Sequence, residues 1–152
     1  MISAKALIDM FVDIVAKGGN LLLIVNLDGQ GALPKIQENR LHDIGRWLKV
    51  NGEGIYATRS YKQPAKDSVS YTQSKDGQYI YAIIKEWPGS ELHLKGINPV
   101  IGSKIKMLGN DLSFKWKNTK DGISIKVPAK LQDIRNRPCV YVWILKIRLT
   151  NI

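Results

Sequence analysis

The sequence predicts an α+β chain. A helix–strand–helix unit, of the kind that closes an alternating β/α architecture such as a barrel or a doubly wound sheet, precedes an antiparallel β-sandwich. Three observations predict this. Two stretches within residues 1–59 space their apolar residues along one helical face, and an unbroken apolar run lies between them. From about Asp67 onward the pattern changes to short strands divided by turn signals.

The first helix opens at Ser3, whose hydroxyl can cap the free N–H groups of the first turn. Leu7, Ile8, Phe11, Val12 and Val15 form its apolar stripe, and Gly18-Gly19-Asn20 ends it. Leu21 to Val25 is apolar at every position and bounded by turn residues, which predicts a strand buried on both faces in a parallel sheet. Asn26 to Gly31 supplies a turn-rich loop. Pro34 suits the first turn of a second helix, because its missing N–H has no intrahelical partner there to lose. Ile36, Leu41, Ile44, Trp47 and Leu48 form the buried stripe of that helix, and Asn51-Gly52 stops it.

A strand that is apolar on both sides needs neighbours at both edges, and nothing else in residues 1–59 reads as one. Its partners are therefore expected from elsewhere. A linker is expected over residues 57–66, on the strength of Thr58, Ser60, Pro64 and Lys66. The organisation is thus an incomplete β/α unit over 1–59 and a sandwich over 60–152.

In the second part, Asp76-Gly77 and Asp121-Gly122 are hairpin signals and Pro88-Gly89 marks another turn. Leu112, Phe114 and Trp116 alternate with Ser113, Lys115 and Lys117, which sends the first set inward and the lysines into water. Ile123, Ile125 and Val127 alternate with Ser124 and Lys126 in the same way. Tyr79 to Ile84 and Val140 to Ile147 are apolar on nearly every residue and so belong at the centre of their sheets.

Composition narrows the function classes. With 44% hydrophobic and 24% charged residues the chain is not of the disordered class, and it has no apolar run long enough to span a membrane. The opening amphipathic helix carries Asp9 and Asp13 and lacks the organisation of a signal peptide, so compartment stays open. Cys139 is the only cysteine, and it precedes a dense apolar strand as a small buried hydrophobe would. His42 and His93 stand apart from any carboxylate or cysteine pattern, so neither a metal nor another cofactor is expected. The net charge of +10 is unevenly placed: residues 1–59 hold seven Lys/Arg and six Asp/Glu, residues 60–152 sixteen and seven. Nucleic acid is not the expected partner, because the lysines alternate along strands with no aromatic platform or basic recognition helix.

Ser3-Ala4-Lys5, Leu7-Ile8-Asp9-Met10, Val12-Asp13-Ile14-Val15 and Lys17-Gly18-Gly19-Asn20-Leu21-Leu22-Leu23 together resemble the late barrel region of the α-L-fucosidases, glycoside hydrolase family twenty-nine. Pro34, Ile36-Gln37, Glu38, Arg40-Leu41, Ile44-Gly45, Trp47-Leu48-Lys49-Val50-Asn51-Gly52-Glu53 and Ile55-Tyr56 resemble that family's final barrel helix and its exit. The resemblance continues through Tyr79 to Ile84, Trp87-Pro88-Gly89 and Leu108-Gly109, which are similar to the family's C-terminal β-sandwich. One departure stands out: where much of the family carries an Asn-Ile-Gly-Pro-type sequence after the leucines, this chain has Ile24-Val25-Asn26-Leu27, followed by Asp28-Gly29-Gln30-Gly31.

The resemblance implies the C-terminal part of a retaining enzyme that removes terminal α-L-fucose from glycoconjugates: the end of a (β/α) barrel plus a β-sandwich. Fucosylated glycans and the remainder of the barrel are the implied partners, and family members are secreted, periplasmic or lysosomal. Retaining chemistry needs two carboxyl groups roughly 5 to 5.5 Å apart. The family's nucleophile and acid/base lie upstream of the matched region, so no catalytic residue is expected in this chain. Asp9, Asp13, Glu38 and Asp43 fall on helix faces. Asp28 alone sits in a loop at the active-site face of a barrel strand, where it is either a turn former or a substrate contact. Trp87, at a turn, is the candidate for stacking on a sugar ring, against core packing. A second reading treats the sandwich as a carbohydrate-binding or interaction module, supported by the exposed lysines and Trp87.

Overall fold

The computed structural model describes residues 2–61 and 68–150. Helix α1 spans Ala4–Ala16 and helix α2 Lys35–Asn51. Eight strands follow: β1 Thr58–Ser60, β2 Val69–Ser74, β3 Tyr79–Ile84, β4 Glu91–Lys95, β5 Ile105–Met107, β6 Ser113–Thr119, β7 Gly122–Lys126 and β8 Trp143–Arg148. All pairings are antiparallel, in the order β1-β2-β3-β8-β5-β6-β7-β4. Strand β6 is where the sheet folds over: Ser113 and Phe114 pair with β5, and Lys115 onward pairs with β7. The result is one curled sheet whose two layers face each other, which is the expected sandwich.

The helix termini are locally determined. The Ser3 hydroxyl accepts the Ala6 N–H at 3.2 Å. At the other end of α1, Gly18 adopts φ +83°, its N–H reaches the Val15 carbonyl, and the Gly19 N–H reaches that of Ile14. This paired closure requires a left-handed residue, a conformation that costs glycine nothing.

Two apolar clusters hold the fold together. Between the sheet layers lie Ile80, Ala82 and Ile84 of β3, Trp143, Leu145 and Ile147 of β8, and Leu92, Leu94, Phe114, Ile123 and Ile125 from the opposite layer. The second cluster lies on the other side of β3 and β8. There Tyr81, Ile83 and Ile144 meet Ile8 and Val12 of α1 and Trp47 of α2. This explains why β3 and β8 are apolar at nearly every position: alternate residues serve the sandwich interior and the helix seam. Gly54, at the exit of α2, leaves room for Ile144, since a Cβ there would sit 2.9 Å from its Cδ1.

Several expectations are corrected. Leu21–Val25 alternates in burial but belongs to no ladder among the described residues, and a strand exists only through hydrogen-bonded neighbours. Thr58 and Ser60, expected in a linker, form an edge strand on β2, while Pro64 and Lys66 lie outside the described residues. Strand β8 starts at Trp143, not Val140: Val142 takes φ 49°, which breaks the extended run, and Val140 and Tyr141 stay exposed. On α2, Ile36 and Leu41 are exposed while Trp47 is buried, so only the C-terminal half of the expected stripe is covered. Trp116 is half-buried, and Ser124 is buried although it points to the lysine face, because the Glu91 carboxylate covers its hydroxyl.

Candidate functional site

Residues 21–25 and the loop after them lie between the two helices and outside both the helices and the sheet. Leu21, Leu23 and Val25 are half-buried, whereas Leu22 is 84% and Ile24 77% exposed. The alternation is that of a strand with one side turned toward its own chain and the other bare. Such an apolar row, with unpaired backbone groups, is a surface built to be covered.

Asp28 follows directly. Its Oδ1 accepts the Gln30 N–H at 2.9 Å and the Ala32 N–H at 2.8 Å, and the backbone closes the turn with Asp28 N–H to Ala32 O and Gly31 N–H to Asp28 O. Both side-chain contacts use one carboxylate oxygen and shape the loop. At the start of the loop the Asn26 N–H donates to the Gln37 Oε1 at 2.8 Å, tying it to α2.

The remaining carboxylates of residues 2–59 are held in ion pairs or hydrogen bonds. Asp9 pairs with Lys5, which also reaches Glu86. Asp13 binds Lys85 and the Ser70 hydroxyl, so Asp13 and Lys5 fasten α1 to the sandwich, with Asp9 holding Lys5 from within the helix. Glu38 pairs with Lys35, whose ammonium holds that carboxyl below the usual range, and lies 3.6 Å from His42. Asp43 sits between Arg40 and Arg46. Glu53 takes a hydrogen bond from the Tyr81 hydroxyl and pairs with Lys146. Sequence periodicity did not single out Glu53, because its partners lie on β3 and β8, far along the chain. His93 lies beside Glu91, and no group of His, Cys, Asp or Glu among the described residues is arranged to hold a metal.

Trp87 sits elsewhere, at the turn after β3. Its Nε1 donates to Gln132 Oε1 at 3.1 Å, it meets Trp143 in a T-shaped arrangement at a centroid distance of 4.9 Å, and the Arg137 guanidinium stacks over its ring at 3.8 Å. Arg137 is itself fixed by the Leu131 and Gln132 carbonyls. The ring is therefore part of a cation–π stack that closes one end of the sandwich. The structure does not bring Asp28 and Trp87 together in one site: Asp28 stands before α2, Trp87 at the far end of β3. Cys139 is half-buried beneath the seam, and its burial pushes the thiol pKa up.

Comparison with known proteins gives a consistent picture. Residues 1–53 match the family model described as alpha-L-fucosidase, and residues 62–148 the model described as alpha-L-fucosidase C-terminal domain. The chain is 33% identical over 157 residues to the plasma alpha-L-fucosidase of Rattus norvegicus, covering 99% of this chain and 33% of that protein. It is 34% identical to the tissue alpha-L-fucosidase of Bos taurus, covering 94% and 31%. A crystal structure of the Thermotoga maritima alpha-fucosidase in complex with fucose superposes with a TM-score of 0.82 at 26% identity, over 97% of this chain and 35% of the other. Alpha-L-fucosidase isoenzyme 1 from Paenibacillus thiaminolyticus shares the fold, with a TM-score of 0.83 at 21% identity. The chain spans about a third of the length of each of these relatives.

Proposed function

This chain belongs to the α-L-fucosidase family, and from that premise we propose that it supplies the last strand and helices of the catalytic barrel, with the C-terminal sandwich, of an enzyme that hydrolyses terminal α-L-fucose from glycoconjugates. The observation that carries the reading is the segment Leu21–Val25. Its residues alternate between half-buried and bare, between helices that match the family's barrel model. Strands of the remaining barrel are its natural partners: they would pair its free backbone groups and cover Leu22 and Ile24.

Chemically, this chain contributes framework. Retaining hydrolysis uses two carboxyl groups roughly 5 to 5.5 Å apart across the scissile bond. The carboxylates of residues 2–59 are instead engaged in ion pairs and turns, which supports a nucleophile and an acid/base from outside this chain. Asp28 lies in the loop that follows the barrel strand, on the side where barrel enzymes bind substrate. Its carboxylate acts there by fixing the loop through Gln30 and Ala32. The Arg137 stack on Trp87 favours a packing role for that ring over sugar stacking.

Expression from the full reading frame that contains this chain should give a protein that releases the chromophore of an aryl α-L-fucoside, whereas residues 1–152 alone should release none above buffer. Saturable turnover by residues 1–152 that disappears on Asp28→Ala would overturn the framework reading. A full-frame product that folds but leaves the fucoside and fucosylated oligosaccharides intact would overturn the assignment of activity.

A further inference from the structure

The outer face of the β4–β7–β6 layer is the part of the sandwich turned away from the helices. The sandwich interior lies between it and β3 and β8, and the helix seam lies beyond those strands. Register defines what it presents. In one row Glu91, Lys126 and Lys115 are opposite one another across the three strands, and in the next His93, Ser124 and Lys117. Neighbouring strands are ~4.8 Å apart and alternate residues along a strand ~6.8 Å, so the three lysines stem from an area about 8 Å across. Lys115, Lys117 and Lys126 are exposed and make no ion pair among the described residues. Lys115 lies directly opposite Lys126, an arrangement that destabilises a sheet through like-charge repulsion. The single carboxylate of the two rows, Glu91, is held by the Ser124 hydroxyl and drawn below its usual pKa by that contact and by the cations around it. A cleft of about 390 Å³ runs over this face, lined by Ser90, Glu91, Lys115, Trp116, Lys117, Ser124 and Lys126.

We propose that this cleft binds an acidic oligosaccharide, one bearing sulfate or carboxylate groups, and so acts as an ancillary glycan site remote from the barrel. Three unpaired ammonium groups supply the charge for the acidic substituents. The Glu91 carboxylate and the Ser124 hydroxyl oxygen offer acceptors for sugar hydroxyls, which saccharides carry on every ring. Nucleic acid fits less well. Of the two aromatic rings at this face, Trp116 is half-buried, packed against the sandwich interior and tied by its Nε1 to the Ser103 carbonyl, and His93 lies beside Glu91, which repels a phosphate backbone that has few donors to offer it. The choice of a glycan over other anions rests on the fucosidase reading; the binding geometry does not.

The test uses residues 1–152 and titration calorimetry at low salt with four probes: a heparin-derived hexasaccharide, a hyaluronan hexasaccharide, maltohexaose and a single-stranded hexadeoxynucleotide. One or both acidic sugars should bind, the tighter of the two identifying sulfate or carboxylate as the group read, and maltohexaose should not. The triple variant Lys115→Ala/Lys117→Ala/Lys126→Ala should weaken that binding by about tenfold or more. Its melting temperature should not fall, since a like-charge pair is removed. The charge-matched control Lys17→Ala/Lys49→Ala/Lys75→Ala, all exposed and outside this face, should change affinity less than about twofold. Should the triple variant fail to fold, Lys117→Ala alone should cost about threefold. Equal weakening by the control, oligonucleotide binding as tight as the sugar's, or no acidic-sugar binding above maltohexaose would each overturn the proposal. None of these outcomes depends on fucoside hydrolysis, so this proposal can fail while the fucosidase reading stands.

Discussion

Trp47→Ala should destabilise the whole described fold, not only the helix that carries it. The indole is 3% exposed and lies in the seam between α2, α1 and the β3–β8 face. It meets Phe11 edge-on at a centroid distance of 6.3 Å, and its Nε1 donates to the carbonyls of Tyr141 at 3.1 Å and Val142 at 2.9 Å. Those carbonyls flank the left-handed Val142, a conformation a β-branched residue adopts only when its surroundings enforce it. Truncation removes a fully buried aromatic ring, which costs about 3–5 kcal/mol. It also leaves the two carbonyls sharing only the weak Cys139 thiol as a donor, which adds to the packing loss. Trp47→Phe keeps most of the packing and isolates the hydrogen bond, at about 1–2 kcal/mol. Against a total stability of about 5–15 kcal/mol, the alanine variant should be readily measurable. Urea unfolding followed by circular dichroism, which does not depend on the indole, is the assay. A single transition shifted by the stated amounts would show helices and sandwich unfolding as one unit. Two separate transitions with only the first moving, or a loss below about 1 kcal/mol, would refute the reasoning that the seam couples the two halves.

Three further outcomes are expected. In hydrogen exchange, the amides of residues 21–25 should lose protection well before those of β3 and β8, because they belong to no ladder; equal protection in a dilute monomer would mean that the segment has found a partner. Burial raises the Tyr71 phenol to about 12, and burial with Glu53 beside it raises Tyr81 too. Their contribution should be complete below the unfolded-chain value of about 10 and lost as pH climbs toward 12, so alkaline unfolding should begin in that window. Tyr71→Phe should delete one phenol from the late-titrating class at 295 nm, and its loss from the early class would contradict the burial. Finally, Gly109 and Gly102 share a positive φ, +76° and +77°, but a Cβ at Gly109 would lie 2.5 Å from Val50 Cγ1 while one at Gly102 meets nothing. Gly102→Ala should cost about 1–2 kcal/mol of backbone strain, and Gly109→Ala about 1–3 kcal/mol more from overpacking. Equal melting temperatures for the two would refute the close approach of α2 to that turn.

What the sequence determined by itself is what a few neighbouring residues decide. The Ser3 cap, the glycine closure of α1, the Asp76-Gly77 hairpin and the alternation of Phe114 with Lys115 all depend on backbone geometry within one or two turns, and all were legible. The Asp28 turn belongs to the same class, since its acceptor and donors lie within four residues. Tertiary structure decided what covers each face. The apolar run of Tyr79–Ile84 announced two buried sides, yet only the fold reveals that one meets the opposite layer and the other the helices. Thr58–Ser60 became a strand because β2 offered an edge, and Leu21–Val25 did not, since no strand among the described residues pairs with it. Ser124 is buried by Glu91 across a strand pair, and Trp87 is capped by Arg137 from fifty residues away. A face's periodicity is fixed by the chain that forms it, whereas its burial is fixed by chain that is distant in sequence, and local pattern carries no record of which distant segment that will be.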